Sequence, residues 1–435
     1  MSTAPAAAKR LLILATTTGY QTRAFVEAAE KLGLSVVFGT DRCHVLEDPW
    51  RDGAIALRFE DPQESAARIV EYARTTPIDA VVALGDRPVP TGARACRALQ
   101  LPYHSPDGAD ACRDKYRARE RLRVCGLLVP PFARFPLSMD ADAILSSGDG
   151  IRFPCVLKPL ALSASRGVIR ADHRRDFVGA FERIRALLSS PDVRVMREAT
   201  SDFIQVEEYV AGDEIAVEGL VDHGRLMVLA IFDKPDPLSG PFFEETIYVT
   251  PSRLSGGIQA AVAGTLERAV KALGLEHGPL HAELRLDPHG AAPQAIWIME
   301  VAARSIGGLC SRALRFRSSA LDRPDKVSLE ELLIRLALGE KVCDFRREEA
   351  ASGVMMIPIP QAGIYEAVEG ADDARQTPGV EDLVITAKPA ERLVPLPEGA
   401  SYLGFIFARG ESQEFVDGAL RAAHGKLRFV ITPAL

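Results

Sequence analysis

The sequence predicts an α/β protein that opens on a parallel sheet and continues in mixed α and β structure. Two observations carry this expectation. Between residues 11 and 99, short apolar runs alternate with amphipathic helical stretches, which is the spacing of strand–helix–strand units with parallel strands. Between residues 278 and 312, a run alternating polar and apolar residues is followed, after a turn, by an almost wholly apolar run. These read as a half-buried strand and a buried strand. The 435 residues correspond, as a prior, to about three domains.

Residues 11–15 (LLILA) open the sheet, and 16–19 (TTTG) form a small polar loop. Residues 23–32 have helical spacing, and Gly33 stops them. A strand at 35–39, a helix at 64–74, a strand at 80–84 and a helix at 91–99 complete the unit. Ligands of such sheets sit at the carboxyl ends of the strands. That makes Thr16-Thr17-Thr18-Gly19 and Gly85-Asp86-Arg87 candidates for lining a cleft. No GxGxxG fingerprint occurs here, which disfavours a dinucleotide oxidoreductase.

Residues 110–125 read as one helix with a largely solvated basic face, ended by Gly126 and kept from resuming by Pro130-Pro131. A strand at 153–157 runs into Lys158-Pro159, and another begins at 168–170. Between them lies Ser163-Ala164-Ser165-Arg166-Gly167. Small residues let backbone approach a ligand, and successive N–H groups with serine hydroxyls can hold phosphate oxygens. Lys158 adds positive charge beside that loop; the competing reading is an ordinary hairpin turn. After an amphipathic helix at 176–188, a strand at 203–210 ends in Glu207-Glu208-Tyr209-Val210. A turn at 211–214 leads to a strand at 215–221, and His223-Gly224 turns the chain into another at 226–232. The stretch 233–253 is too long for a plain turn and carries Glu244-Glu245; such loops are usually functional.

A helix at 256–273 leads to the pair of strands at the centre of the argument. Residues 281–286 alternate, Asp287, Pro288 and Gly290 supply turn chemistry, and 295–301 form the apolar strand. His281, Glu283 and Arg285 share one face, and Glu300 ends the apolar run, where an uncompensated carboxylate is costly. If the strands pair, Glu283 and Glu300 lie side by side, with roughly 5 Å between opposed Cβ atoms. Two such carboxylates repel, and a bound cation relieves that. Hard oxygen ligands point to Mg²⁺ shared with nucleotide phosphates; the competing reading is a solvated hairpin with two unrelated glutamates. The chain leaves through Ser305-Ile306-Gly307-Gly308. Beyond it, a helix at 329–338, a strand at 353–360 and a helix at 415–423 read as a separate small α+β domain with few candidate active groups.

The formal charge of −7 argues against a polyanion-binding surface, so no nucleic-acid partner is expected. No apolar run approaches the roughly 20 residues that span a bilayer, so no membrane partner is expected either. The run after Lys9-Arg10 is too short for a signal peptide. Seven cysteines, at 43, 96, 112, 125, 155, 310 and 343, include no CxxC pair. That disfavours a zinc site or disulfide framework and suits reduced thiols in cytoplasm.

A helix with a lysine, a strand ending in Lys-Pro, a small-residue loop, an EEYVxGxE segment and a Glu…Glu hairpin follow one another in this order. The order resembles the ATP-grasp superfamily of carboxylate–amine and carboxylate–thiol ligases over about residues 1 to 320. The tail, with ELLIRLALGE and a small domain, looks most like the L-amino acid ligases that form dipeptides. The resemblance implies an ATP-grasp fold, two α+β subdomains (107–200 and 201–320) clasping ATP. A Rossmann-like parallel domain (1–106) precedes it and a small α+β domain (321–435) follows. It implies an ADP-forming, carbon–nitrogen bond-forming ligase with ATP and Mg²⁺, or Mn²⁺ in its place, acting on small carboxylate and amine substrates, with a homodimer allowed for. Lys115 and Lys158 resemble the lysines that contact ATP phosphates, and Ser163, Ser165 and Gly167 the loop closing over them. Glu207 matches an acidic residue near the adenine amino group, Glu208, Tyr209 and Val210 the segment along the adenine edge, and Glu214 the ribose-binding carboxylate. Glu283 and Glu300 match the magnesium ligands, and Arg304 the arginine of an ExNxR pattern that stabilises phosphate charge. Ala302 stands where that pattern has Asn, so one oxygen ligand is missing. His281 stands where several of these ligases carry an arginine, and is a catalytic candidate beside Arg304 and Lys158. Glu244 or Glu245 is a candidate counter-charge for a substrate amine, and Ser305, Gly307 and Gly308 for a substrate carboxylate. Rival readings are a carboxylase-type or purine-pathway ligase, and a non-catalytic ATP-binding protein.

Overall fold

A computed structural model describes residues 8–16, 21–41, 53–146, 151–286, 295–318 and 326–433. Thr17, Thr18, Gly19, Cys43, Asp287, Pro288 and Gly290 lie outside the described residues. Strands β1 (Arg10–Ala15), β2 (Ser35–Thr40), β3 (Ala54–Ala56) and β4 (Ala80–Leu84) form an all-parallel sheet in the order β3-β2-β1-β4. Leu12 and Leu14 of β1 pack into one core cluster, Leu11 and Ile13 into another. Both faces of the sheet are covered, which is why LLILA carries no alternation.

The single basic helix expected at 110–125 is two helices, Pro106–Arg113 and Lys115–Val124. Asp114 between them is extended (φ −110°, ψ 107°), and its carboxylate accepts the N–H groups of Tyr116 and Arg117. This N-cap is worth about 1 kcal/mol. The break makes Lys115 the first residue of the second helix.

A second sheet pairs β5 (Phe132–Pro136), β6 (Cys155–Pro159), β7 (Ile169–Ala171) and β8 (Phe203–Glu208) antiparallel in the order β5-β8-β6-β7. The helix Arg174–Leu188 buries Phe177, Phe181 and Ile184 in the core shared with it. The third sheet contains β9 (Asp213–Asp222), β10 (Arg225–Asp233), β11 (Ile247–Thr250), β12 (Gly278–Leu286) and β13 (Ile296–Ala302) in the order β13-β12-β9-β10-β11. It does not stop there. Ala351–Ile357 pairs with β11, Gly404–Gly410 with Ala351–Ile357, and Val380–Ile385 with Gly404–Gly410, giving eight antiparallel strands.

The segment expected to fold as a separate unit from 321 therefore supplies three strands of the same sheet. Without them the edge of β11 would present unpaired N–H and C=O groups. The described cysteines are free thiols. No described helix is long and apolar enough to cross a membrane.

Candidate active site

Residues from all three sheets line one cavity of ≈ 350 Å³. Thr16, Gly85 and Asp86, at the carboxyl ends of β1 and β4, reach it, as the parallel-sheet pattern predicts. Arg87 faces Asp41 and Glu198 instead.

β12 and β13 pair with Glu283 directly opposite Glu300, and a bulge follows Glu283. Both carboxylates line the cavity. Glu300 lies 3.2 Å from the Lys115 ammonium, which also donates to Leu162 O at 3.0 Å. Burial pushes the Glu283 carboxyl up, but Lys234 at 3.6 Å and His281 at 3.9 Å hold it well below the usual carboxylate range. The two carboxylates share one register position; Glu300 faces Lys115, and Glu283 faces Lys234 and His281 with Glu214 and Glu245 close by, oxygen donors that suit a hard divalent ion. Ala302 is buried opposite His281 and offers no side-chain oxygen.

His281 is buried, with Nδ1 3.1 Å from Glu218 Oε2. Burial lowers the pKa of the ring, but the hydrogen bonds to Glu218 and Glu283 outweigh it and bring it up to about 9. Glu218 is itself fully buried in mid-strand and also accepts the Ile306 N–H at 3.0 Å. One carboxylate thus sets both the histidine and the start of the glycine loop. Arg304 donates to Asp86 at 2.9 Å and to Ser305 O at 2.9 Å. Burial works against its charge, but Asp86 and Glu300 hold it protonated.

Lys158 is buried on β6, where desolvation lowers its pKa, and it ion-pairs with Glu207. Glu207 also accepts from Arg119 Nε at 2.7 Å and from Gln205 at 2.6 Å. Burial alone would raise the Glu207 carboxyl, yet Arg119 and Lys158 hold it at about 2. Arg119 lies on the helix read from sequence as a solvated basic face, but it is buried. Removing one partner of a buried pair typically costs about 3–5 kcal/mol. Glu207→Gln leaves two buried cations facing a neutral amide and is expected to lower unfolding free energy by about that amount. Urea denaturation measures it; a loss below about 1 kcal/mol would mean the cations are compensated elsewhere.

Ser163 and Ser165 line the cavity. Ala164 (φ 55°), Ser165 (φ 53°) and Gly167 (φ 75°) take left-handed conformations. A Cβ on Gly167 would meet Pro159 at 2.7 Å, so only glycine fits that turn. The Gly167 N–H donates to Pro397 O at 2.7 Å, and Arg166 Nε to Glu398 O at 2.7 Å. The loop is therefore tied to the C-terminal segment, which also sends Met356 and Tyr402 into the cavity. That segment had read as poor in active groups.

Glu208, Tyr209 and Val210 line the far wall. The N–H groups of Glu208 and Tyr209 bond to Pro131 O and Pro154 O, each at 2.9 Å. Arg285 donates to Val210 O at 2.6 Å and to Glu214 at 2.8 Å, and its guanidinium lies 5.1 Å from the Tyr209 ring centroid. Lys234 was missed from sequence. Buried, it lies 2.7 Å from Glu214 and also binds Glu245. Its only signal was a lysine at the exit of the apolar strand before the long loop.

Of the substrate candidates, Glu245, Gly307 and Gly308 line the cavity. Burial, partly countered by Lys234, raises the Glu245 pKa, and the carboxylate accepts from Tyr248 Oη at 2.7 Å. Glu244 and Ser305 are not on the cavity wall. Ser305 is buried behind the wall, beside a small hollow next to Tyr103 and His277.

Residues 151–313 match the ATP-grasp domain family, residues 26–103 the ATP-grasp N-terminal domain, and residues 355–432 the L-amino acid ligase C-terminal domain 2. The fold and these matches make the chain a member of the ATP-grasp superfamily. Within it, the chain is similar to the L-amino acid ligases, whose C-terminal domain model it matches. It superposes on the L-amino acid ligase of Bacillus licheniformis with a TM-score of 0.80 and 27% identity, over 98% of this chain and 99% of that one. It is 27% identical over 273 residues to the alanine–anticapsin ligase of Bacillus amyloliquefaciens. That alignment covers 59% of this chain and 56% of the relative, so the chain spans just over half of that protein's length. A phosphoribosylglycinamide synthetase from Anaerococcus prevotii shares the fold, with a TM-score of 0.66 and 15% identity over 98% of this chain and all of that one.

Proposed function

We propose that this protein joins the carboxylate of one amino acid to the amine of another through an acyl phosphate, converting ATP to ADP and phosphate. One observation supports this above the rest. Arg304 and the Glu283–Glu300 pair line the same cavity as a lysine side (Lys115, Lys158) and an acidic recess (Glu245, Tyr248). The reading divides the chain into an N-terminal unit to 106, two clasping halves to 320, and a C-terminal unit that completes the second half's sheet.

A carboxylate is a poor acyl donor because oxide is a poor leaving group. Transfer of the γ-phosphoryl group forms the acyl–oxygen–phosphorus linkage, and the amine then displaces phosphate. Lys115, Lys158 and the Ser163–Ser165 turn bind and orient the triphosphate, while Glu208 to Val210 and Glu214 hold the nucleoside. Glu283 and Glu300 would hold Mg²⁺ or Mn²⁺, which supplies positive charge to phosphate oxygens. Arg304, fixed by Asp86, sets a permanent charge where phosphate charge moves. His281, anchored on Glu218, lines the same wall. Glu245 receives the ammonium of the acyl donor, and the Gly307–Gly308 backbone borders the space left for its carboxylate. Burial of these groups keeps water from the acyl phosphate.

Hydroxylamine traps acyl phosphates as hydroxamates. Incubation of the full chain with ATP, Mg²⁺ and mixed amino acids is expected to yield ADP and the hydroxamate of one or a few of them. ADP without hydroxamate or dipeptide across the standard amino acids would reject the amino acid reading. AMP in place of ADP would reject the acyl phosphate.

A further inference from the structure

A cluster far from this cavity has the composition of a metal site. β9 ends at Asp222, and His223 (φ 47°) and Gly224 (φ 78°) form the two-residue turn into β10. The Gly224 N–H donates to Glu276 O at 2.7 Å, which brings the turn against His277, the residue before β12. Asp222, His223 and His277 each offer one ligand atom, all within 4.8 Å of one another.

The state of His277 distinguishes this cluster from a chance grouping of polar residues. The ring is 5% exposed. Its Nε2 lies 3.0 Å from Leu336 O. A carbonyl only accepts, so Nε2 carries a proton and Nδ1 is the ring's available ligand atom. That Nδ1 has no hydrogen-bond partner among the described residues. It faces Asp222 Oδ1 at 3.3 Å, and His223 Nδ1 lies 2.7 Å from the same oxygen. A cation held between His277 Nδ1 and Asp222 would give the buried ring and the half-buried carboxylate a partner.

We propose that Asp222, His223 and His277 bind a divalent transition metal of the zinc type, which pins the β9–β10 turn to the start of β12. Two imidazoles and one carboxylate suit zinc and its neighbours rather than magnesium or calcium. Metal–ligand bonds of about 2.0–2.1 Å at tetrahedral angles separate ligand atoms by roughly 3.3 Å, the Asp222–His277 spacing found here. His223 is largely exposed, leaving a water to complete the tetrahedron. The Leu336 carbonyl on Nε2 fixes the His277 ring in the manner of an outer-shell partner of a metal-bound histidine. Glu283 pairs with Ala216, which is six residues from Asp222 on β9, about 20 Å at the rise of a strand. The site is therefore separate from the Glu283–Glu300 pair.

The test uses the full chain with Co²⁺ as a spectroscopic probe and Zn²⁺ as competitor, in excess Mg²⁺ to fill the carboxylate pair. One equivalent of Co²⁺ is expected to give a saturable visible absorption band that Zn²⁺ abolishes, and Zn²⁺ is expected to raise the melting temperature. Loss of an outer partner alone costs 10–100-fold in affinity, so His223→Asn is expected to weaken binding by at least ~100-fold. Asn tolerates the left-handed turn and the position is exposed, so this variant keeps the fold. Glu283→Gln is expected to bind Co²⁺ like the parent chain. Absence of stoichiometric Co²⁺ binding, or undiminished binding by His223→Asn, would overturn the proposal.

Discussion

Glu283→Gln and Glu300→Gln are each expected to preserve the fold and to reduce ADP formation on the order of 10³-fold, the scale of losing one charge-stabilising group from a preorganised site. The amide keeps the shape of the carboxylate and removes its charge. The two residues sit at one register position of an antiparallel pair, so neither can replace the other by a strand slip, which would turn the whole strand face over. Glu283→Gln carries a second consequence, since Lys234 and His281 both face that carboxylate. Melting temperature and ADP release in saturating ATP and Mg²⁺ measure the two effects. Turnover within tenfold of the parent in either variant would remove that residue from the metal pair.

Arg304→Met is expected to lower kcat by about 10²–10³-fold with a much smaller change in the KM for ATP. The guanidinium is held by Asp86, across the junction between the first and third sheets. Burial works against Asp86's ionisation, and Arg304 outweighs it by holding that carboxyl below its usual range. Asp86→Asn is therefore expected to lose about tenfold in kcat, the low end of what misplacing a catalytic group costs. The two effects are coupled through one contact. In the Arg304→Met background, the Asp86→Asn loss is expected to disappear, as a double-mutant cycle would measure. Additive losses would mean that Asp86 acts on something other than Arg304.

Arg119 and Glu218 show where sequence reading stopped. Arg119 sits in a run of arginines whose period marks a solvated face, and nothing local distinguishes it from its neighbours. It is buried because Glu207, 88 residues away, and Met299 O, 180 residues away, lie on the other side of it. Glu218 was legible in principle: a lone carboxylate inside an apolar strand is the signal that singled out Glu300. The break at Asp114 was legible too, since aspartate favours N-cap positions over helix interiors.

The sequence by itself determined the parallel opening sheet, the order of the Ser163–Gly167 loop, the EEYV strand and the Glu–Glu hairpin, and the facing of His281, Glu283 and Arg285. These depend on periodicities of 2.0 and 3.6 residues and on turn chemistry, all local properties of the chain. Only the tertiary structure decided which charges are paired. Lys234 comes to neutralise Glu214 and Glu245, Asp86 comes to hold Arg304, and the C-terminal strands come to cover the β11 edge. It also sorted Glu245 from Glu244. The physical reason is that desolvation makes each buried charge depend on a partner, and that partner lies on another element at a sequence separation no local pattern records.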